Sequence, residues 1–258
     1  MYLEEVGTKN AQTIIFLHGA GMSGWVWQKQ IEYFKDYHCL IPDLPGHGKS
    51  HEPLFSLRDC AEKVAEIIET RADKKAHLVG HSLGAKVVIE LLSIKPELVD
   101  HAIIVSAICR PMKIMSWSNR LWVYKLSSWL CQYKKVLQLL SKLCQFPDQF
   151  YQQNFIKGAR RLTAGDLQNI YDIVYQNLKL PQGLSNVKTS VLAMAGAKEP
   201  MAMRQSVKDL AVALPNSKGI LVRSAKHTLP WAEIELFNKI IRSWIEDGHL
   251  ESDLVYEV

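Results

Sequence analysis

Gly80-His81-Ser82-Leu83-Gly84 sits between Ala76-His77-Leu78-Val79, an apolar run of strand length, and Ala85 to Leu92, whose apolar residues recur at helical spacing. A serine between two glycines at such a strand-to-helix junction has a specific physical use. The turn is sharp enough to strain its central residue, and the flanking glycines remove Cβ atoms that would clash. The serine oxygen then stands clear of the sheet, beside a helix N-terminus whose free amides can hold an anion. The stretch has the G-x-S-x-G form of a turn that exposes a nucleophile, and Ser82 is its candidate.

Outward from this turn, strand and helix signals alternate. Thr13 to Leu17, His38 to Ile41, Ala76 to Val79 and His101 to Val105 read as strands, with helices expected over Ser23–Lys35, Ser56–Arg71 and from Ala85 to about Lys95. At Ile108 the character changes. About seventy residues follow with helical stretches rich in aromatics, such as Ser118–Leu130 and Tyr133–Leu143, and no credible strand. Beyond Pro181-Gln182-Gly183 the alternation returns, with strands Ser190–Ala195 and Gly219–Val222 and helices Met201–Ala213 and Trp231–Glu246. The expected architecture is α/β: a mostly parallel sheet with helices on both faces, three layers in all, and an inserted helical cap. Residues 1–107 and 185–247 form the core, 108–184 the cap and 248–258 a polar, poorly ordered tail.

Composition narrows the class. The chain has 258 residues, 48% hydrophobic and 22% charged, with net charge +5, as expected of one ordinary globular domain. Its polar start is not read as a signal peptide, and no apolar run is long enough for a membrane span. Five cysteines without a C-x-x-C pair speak against a disulfide framework or a zinc site and for a reducing cytoplasm. No metal, cofactor or nucleic-acid partner is expected, and oligomeric state is not legible. The charge is uneven: between Ile108 and Leu184 eleven Lys/Arg stand against three Asp. That excess suggests a cap that faces something anionic.

A serine hydroxyl needs a base, an orienting acid and a site for the developing oxyanion. His227, in a loop between a strand and the last helix, can swing over the carboxyl edge of the sheet. His101, at the head of a strand, is a weaker candidate and His249, in the tail, a poor one. Glu199, after strand 190–195, stands where an orienting carboxylate belongs, with Asp100 and Asp209 as alternatives. The backbone N–H groups of Ala20, in His18-Gly19-Ala20-Gly21, and of Leu83 would hold the oxyanion. His18, Trp25, Trp27, Trp117 and Trp122 are expected around the substrate, and His81 is expected to be structural.

These motifs resemble the α/β-hydrolase superfamily, in particular its small cytoplasmic serine esterases with a helical cap. The resemblance rests on His18-Gly19, on Asp43-Leu44-Pro45-Gly46-His47-Gly48-Lys49-Ser50, on Gly80–Gly84, and on Gly196–Pro200 with His227. It implies that the Asp43–Ser50 loop is structural and that the cap lies between the sixth and seventh strands. The chain departs from the family at Glu199, where Asp is usual; glutamate adds roughly 1.5 Å of reach. The position after the preceding strand holds Ser106-Ala107, which cannot serve as the acid. The expected reaction is hydrolysis of an ester or thioester with an apolar acyl group through an acyl-enzyme on Ser82. The basic cap adds the option of a substrate carried on an acyl carrier protein or coenzyme A, and the pimeloyl-carrier-protein methyl esterase branch is similar in plan. A lyase using the same triad and a non-enzymatic ligand sensor are the competing readings.

Overall fold

A computed structural model describes residues 1–9, 11–52, 56–112, 119–248 and 255–258. Eight strands form one sheet in the order β1-β3-β2-β4-β5-β6-β7-β8. They are β1 (Leu3–Gly7), β2 (Thr13–Leu17), β3 (His38–Pro42), β4 (Ala76–His81), β5 (Val99–Val105), β6 (Ser190–Gly196), β7 (Ser217–Val222) and β8 (Val255–Glu257). The strands from β2 to β7 are parallel, and β1 and β8 close the two edges antiparallel. Parallel strands need cover on both faces, so β2 and β3 are buried at every residue. One face carries α2 (Leu57–Arg71), α3 (Leu83–Ile94) and α8 (Met201–Ala213); the other carries α1 (Gln28–Tyr33) and α10 (Ile234–Glu246).

Both edge strands differ from the expectation. Leu3-Glu4-Glu5-Val6 reads as polar because an edge strand is only half covered and keeps its charges in water. The tail expected to be disordered from residue 248 ends instead in β8, which pairs with β7 from Ile220 to Val222. The cap accordingly falls between β5 and β6, one strand earlier than the resemblance implies, and β8 brings the sheet to eight.

Two expected helices are interrupted. Ser23–Lys35 splits into a 3-10 turn (Gly24–Trp27) and α1, and the Ser23 side chain caps neither. Asp43 does that work from another loop, accepting hydrogen bonds from the amides of Gly24 (2.7 Å) and Lys49 (2.8 Å). Trp231–Glu246 breaks at Glu233 into a short α9 (Leu229–Ala232) and α10. Trp27 is wholly buried between these elements, stacked on Phe237 with ring centroids 6.2 Å apart. It is a core residue and lines no substrate pocket.

The cap holds α4 (Leu121–Leu130), α5 (Lys134–Leu143), α6 (Gln149–Ala159), α7 (Ala164–Tyr171) and a π turn (Asp172–Gln176). It is anchored on the core by aromatic contacts. Trp25 meets Phe146 and Tyr151 edge to face at 5.8 and 5.7 Å, and the Trp231 indole donates to the Cys144 carbonyl at 2.7 Å. Its two ends are joined by one buried cation. Lys86, on α3, donates through Nζ to the carbonyls of Ile108 (3.2 Å), where the chain leaves the core, and of Val174 (3.0 Å) and Asn177, where it returns. Burial pushes this ammonium down to about 8. Lys86→Met keeps the apolar bulk but leaves those carbonyls without their donor. The expected cost is about 2–4 kcal/mol of stability in urea unfolding, with proteolytic cleavage appearing first between residues 108 and 184.

Candidate active site

β4 runs into His81, the chain reverses at Ser82 with φ 54° and ψ −109°, and α3 begins at Leu83. A positive φ at a non-glycine residue costs of order 1–3 kcal/mol and persists only where its surroundings impose it. Here the Ser82 amide donates to the Val105 carbonyl (2.9 Å) and the Gly84 amide to the His18 carbonyl (3.1 Å). A Cβ on Gly80 would lie 2.5 Å from the Gly84 oxygen, and one on Gly84 would lie 2.2 Å from the Leu17 oxygen. Both glycines are therefore required by close approach.

The loop after β2 passes beside this turn. A Cβ on Gly19 would stand 3.4 Å from the Ser82 Cβ and 3.0 Å from His81 Nδ1. Leu83, the first residue of α3, has an amide with no intrahelical acceptor, and Ala20 follows Gly19 on the loop. His18 differs from its expected place at the substrate. It is fully buried, its Nδ1–H donates to the Gly19 carbonyl (2.8 Å), and its Nε2 accepts from the Leu44 amide (2.9 Å). Burial pushes it down to about 3, so it stays neutral and ties the β2 loop to the β3 loop.

Glu199 and His227 come together from the ends of β6 and β7. The Glu199 side chain is wholly buried, and its Oε2 accepts from His227 Nδ1 at 2.9 Å. Its Oε1 accepts from the Gly196 amide and from Ser106 Oγ, both at 2.7 Å. The carboxylate thus has three donors, and the extra methylene of glutamate is accommodated by folding back onto the amide of residue 196. His227 keeps Nε2 free of any described partner, and its side chain is 41% exposed. His81, beside Ser82, holds the loop of His227: its Nε2–H donates to the His227 carbonyl (2.9 Å), and the two rings lie 4.7 Å apart. Burial keeps His81 neutral. Gly19 approaches both His81 and Ser82, and His81 in turn meets His227, so these contacts gather at the carboxyl edge of the sheet. A strained serine, an imidazole with a free nitrogen and a buried carboxylate behind that imidazole can together move a proton and form a covalent acyl intermediate.

The weaker candidates lie elsewhere. Asp100 and His101 begin β5, at the opposite end of the sheet, with Asp100 3.6 Å from His77 and 3.5 Å from His101. Asp209 is paired with Arg110 at 2.6 Å. Trp122 is 56% exposed on α4, Trp25 is an anchor of the cap, and Trp117 and His249 lie outside the described residues. A cleft of about 830 Å³ runs from Gly21 and Trp25 to Phe150, Lys157 and Arg161 of the cap region.

Ser106 is the site residue that sequence reading passed over. Register explains its place: Val105 pairs with Met194, so the residues just beyond β5 and β6 are neighbours. The one available signal was that Ser106 occupies the alternative acid position on the adjacent strand. Ser106→Ala should lower kcat about tenfold with KM nearly unchanged, the loss expected when one hydrogen bond to a buried carboxylate is removed. Steady-state kinetics on a soluble ester check it.

The buried histidines also set an acid limit. His18 and His77 are pushed down by burial to about 3 and about 4, whereas an unfolded histidine titrates near 6.5. Above about pH 6.5 both are neutral in either state. Below it the unfolded chain binds protons that the fold refuses, so stability falls with pH by about 1.4 kcal/mol per pH unit for each such histidine. His77→Gln should remove one histidine's share of the slope in urea midpoints measured between pH 6.5 and 4.5.

The chain matches the family model described as alpha/beta hydrolase fold over residues 12–233. Among curated proteins, (E)-2-((N-methylformamido)methylene)succinate hydrolase of Acinetobacter baylyi is 22% identical over 249 residues, covering 91% of this chain and 90% of that protein. Among solved structures, the esterase EaEST from Exiguobacterium antarcticum superposes with TM-score 0.77 at 17% identity over 95% of each chain. The epoxide hydrolase CorEH does so with TM-score 0.77 at 16% identity, over 96% of this chain and 95% of that one. None of the five cysteines forms a disulfide, and no helix among the described residues is long and apolar enough to cross a membrane. With a family-model match that spans residues 12–233, most of its length, the chain belongs to the α/β-hydrolase fold family.

Proposed function

We propose that this hydrolase cleaves a carboxylic ester or thioester with an apolar acyl group through an acyl-enzyme on Ser82. The carrying observation is the His227–Glu199 pair, a 2.9 Å contact to a wholly buried carboxylate, set beside a serine in a strained turn. Glu199 accepts the Nδ1 proton, which directs the Nε2 lone pair outward as the general base. His227 takes the Ser82 proton as the oxygen attacks the acyl carbon, and the amides of Ala20 and Leu83 receive the oxyanion. The resulting imidazolium protonates the leaving group. A water activated by the same histidine then releases the acid and restores Ser82. Elbow, acid and base follow in the chain order Ser, acid, His of this fold.

Lys157 and Arg161, which line the cleft from Gly21 to the cap together with Lys49, Asp43 and Asp166, support the narrower reading of an acyl group on an anionic carrier, a carrier protein or coenzyme A. An ester and thioester panel separates the alternatives. A fluorophosphonate probe should label the wild type and not Ser82→Ala. Glu199→Gln should lower kcat/KM by about 10³–10⁴ while the protein stays folded. Coenzyme A thioesters should be turned over with lower KM than nitrophenyl esters of the same acyl length. Labelling without turnover of any ester points to the lyase, and neither labelling nor turnover points to a ligand sensor.

A further inference from the structure

From His101 to Pro147 the sequence contains seven Lys/Arg and no Asp or Glu. The fold presents much of this run as two helices, each with one exposed face. On α4, Trp122, Leu126 and Trp129 recur at three- and four-residue spacing with Lys125 among them, and all four are exposed. Tyr124 faces inward, 6.1 Å from Tyr171 of α7. On α5, Leu139 and Leu143 form an outward row with Lys135, flanked by Lys134 and Lys142, while Leu137 and Ser141 point inward. Tyr133 links the two helices, its ring 4.8 Å from that of Trp129. Trp129 is 54% exposed and Leu143 69% exposed. None of Lys125, Lys134, Lys135 and Lys142 forms an ion pair among the described residues.

A monomer rarely leaves so much large apolar surface in water on one element. Here the exposed residues are mixed with cations and the run that supplies them holds no Asp or Glu, which restricts what can cover it. A second copy would bring the same positive charge against itself and be repelled. Indole and phenol rings suit a boundary with hydrocarbon on one side and water on the other, and lysines keep their ammonium groups in the polar layer while their stems lie on apolar surface. We propose that the outer face of α4 and α5 docks on an anionic lipid bilayer. The apolar row lies about 5–10 Å into the headgroup region, and the lysines contact acidic headgroups. Two sets among the basic residues of the cap then have separate roles: Lys157 and Arg161 at the cleft, and the α4–α5 lysines on the outside. Docking delivers a lipophilic acyl substrate to the cap directly from the membrane, a consequence that rests on the proposed hydrolysis. The docking itself does not.

Vesicle co-sedimentation and tryptophan fluorescence test it on the whole chain, without substrate, so failure here leaves the hydrolytic reading untouched. Vesicles of equimolar phosphatidylglycerol and phosphatidylcholine should bind the protein about a hundredfold more tightly than phosphatidylcholine alone, with a blue-shifted emission and weakening at high salt. Trp129→Ser with Leu143→Ser leaves the charge intact and should weaken that binding at least tenfold. Lys134→Gln with Lys135→Gln should weaken it on anionic vesicles only. All these positions are exposed, so circular dichroism and turnover of a small soluble ester should match the wild type. Equal binding to neutral and anionic vesicles overturns the proposal, as does an unchanged affinity of the Trp129/Leu143 variant. So does binding to a soluble acidic acyl carrier protein that is as tight as to vesicles and is lost in the same variants, which would make the occupant a protein.

Discussion

The approach of α3 to β2 across Gly84 is the constraint on which the site depends. With no Cβ at Gly84, its backbone packs against the Leu17 carbonyl and its amide reaches the His18 carbonyl. That contact seats the helix directly on the strand end and forces Ser82 into its positive-φ turn. The same seating brings the loop after β2 alongside the serine, so the proposed nucleophile and the proposed oxyanion donors are placed by one packing decision. A larger residue would have to lift α3 off the sheet, and the strain at Ser82 would have nothing to hold it.

A second arrangement supports the proposed base. Glu199 is buried with no Lys or Arg ion pair among the described residues, yet three donors converge on its two oxygens. Hydrogen bonds to the charged form compensate for burial of a carboxylate. Ser106 and Gly196 come from neighbouring strand ends, so the proposed acid is oriented by the sheet itself. His81 contributes from the opposite side by holding the backbone of His227. The base is thus fixed at both its ring and its main chain, and only Nε2 remains open.

The cap is attached with less apolar contact than the core elements have with one another, and a few polar anchors matter correspondingly more. Lys86 joins both cap ends to the helix that follows the nucleophile, so displacement of the cap and of the elbow helix are coupled. Among the described residues its ammonium donates to backbone carbonyls, so this anchor is independent of cap side chains. The rest of the cap is free to present its surface outward.

What the sequence determined by itself was local. Alternating strand and helix periods marked the parallel sheet, the change at Ile108 marked the insertion, and Ser82, Glu199 and His227 stood out because each sits at the carboxyl end of a strand, a position readable along the chain. What remained hidden depended on neighbours far apart in sequence. Ser106 acquires a role only when β5 lies beside β6, Trp27 becomes core only when α10 covers it, and His18 becomes a loop tie only when the Leu44 amide meets it. Val255–Glu257 becomes a strand only beside β7, and Lys157 and Arg161 part from the α4–α5 lysines, cleft from outer face, only once the cap is folded. Side-chain period and turn chemistry act over a few residues and are written in order. Which groups share a hydrogen bond or a packing contact is set by strand order and layer packing, and only the tertiary structure decides it.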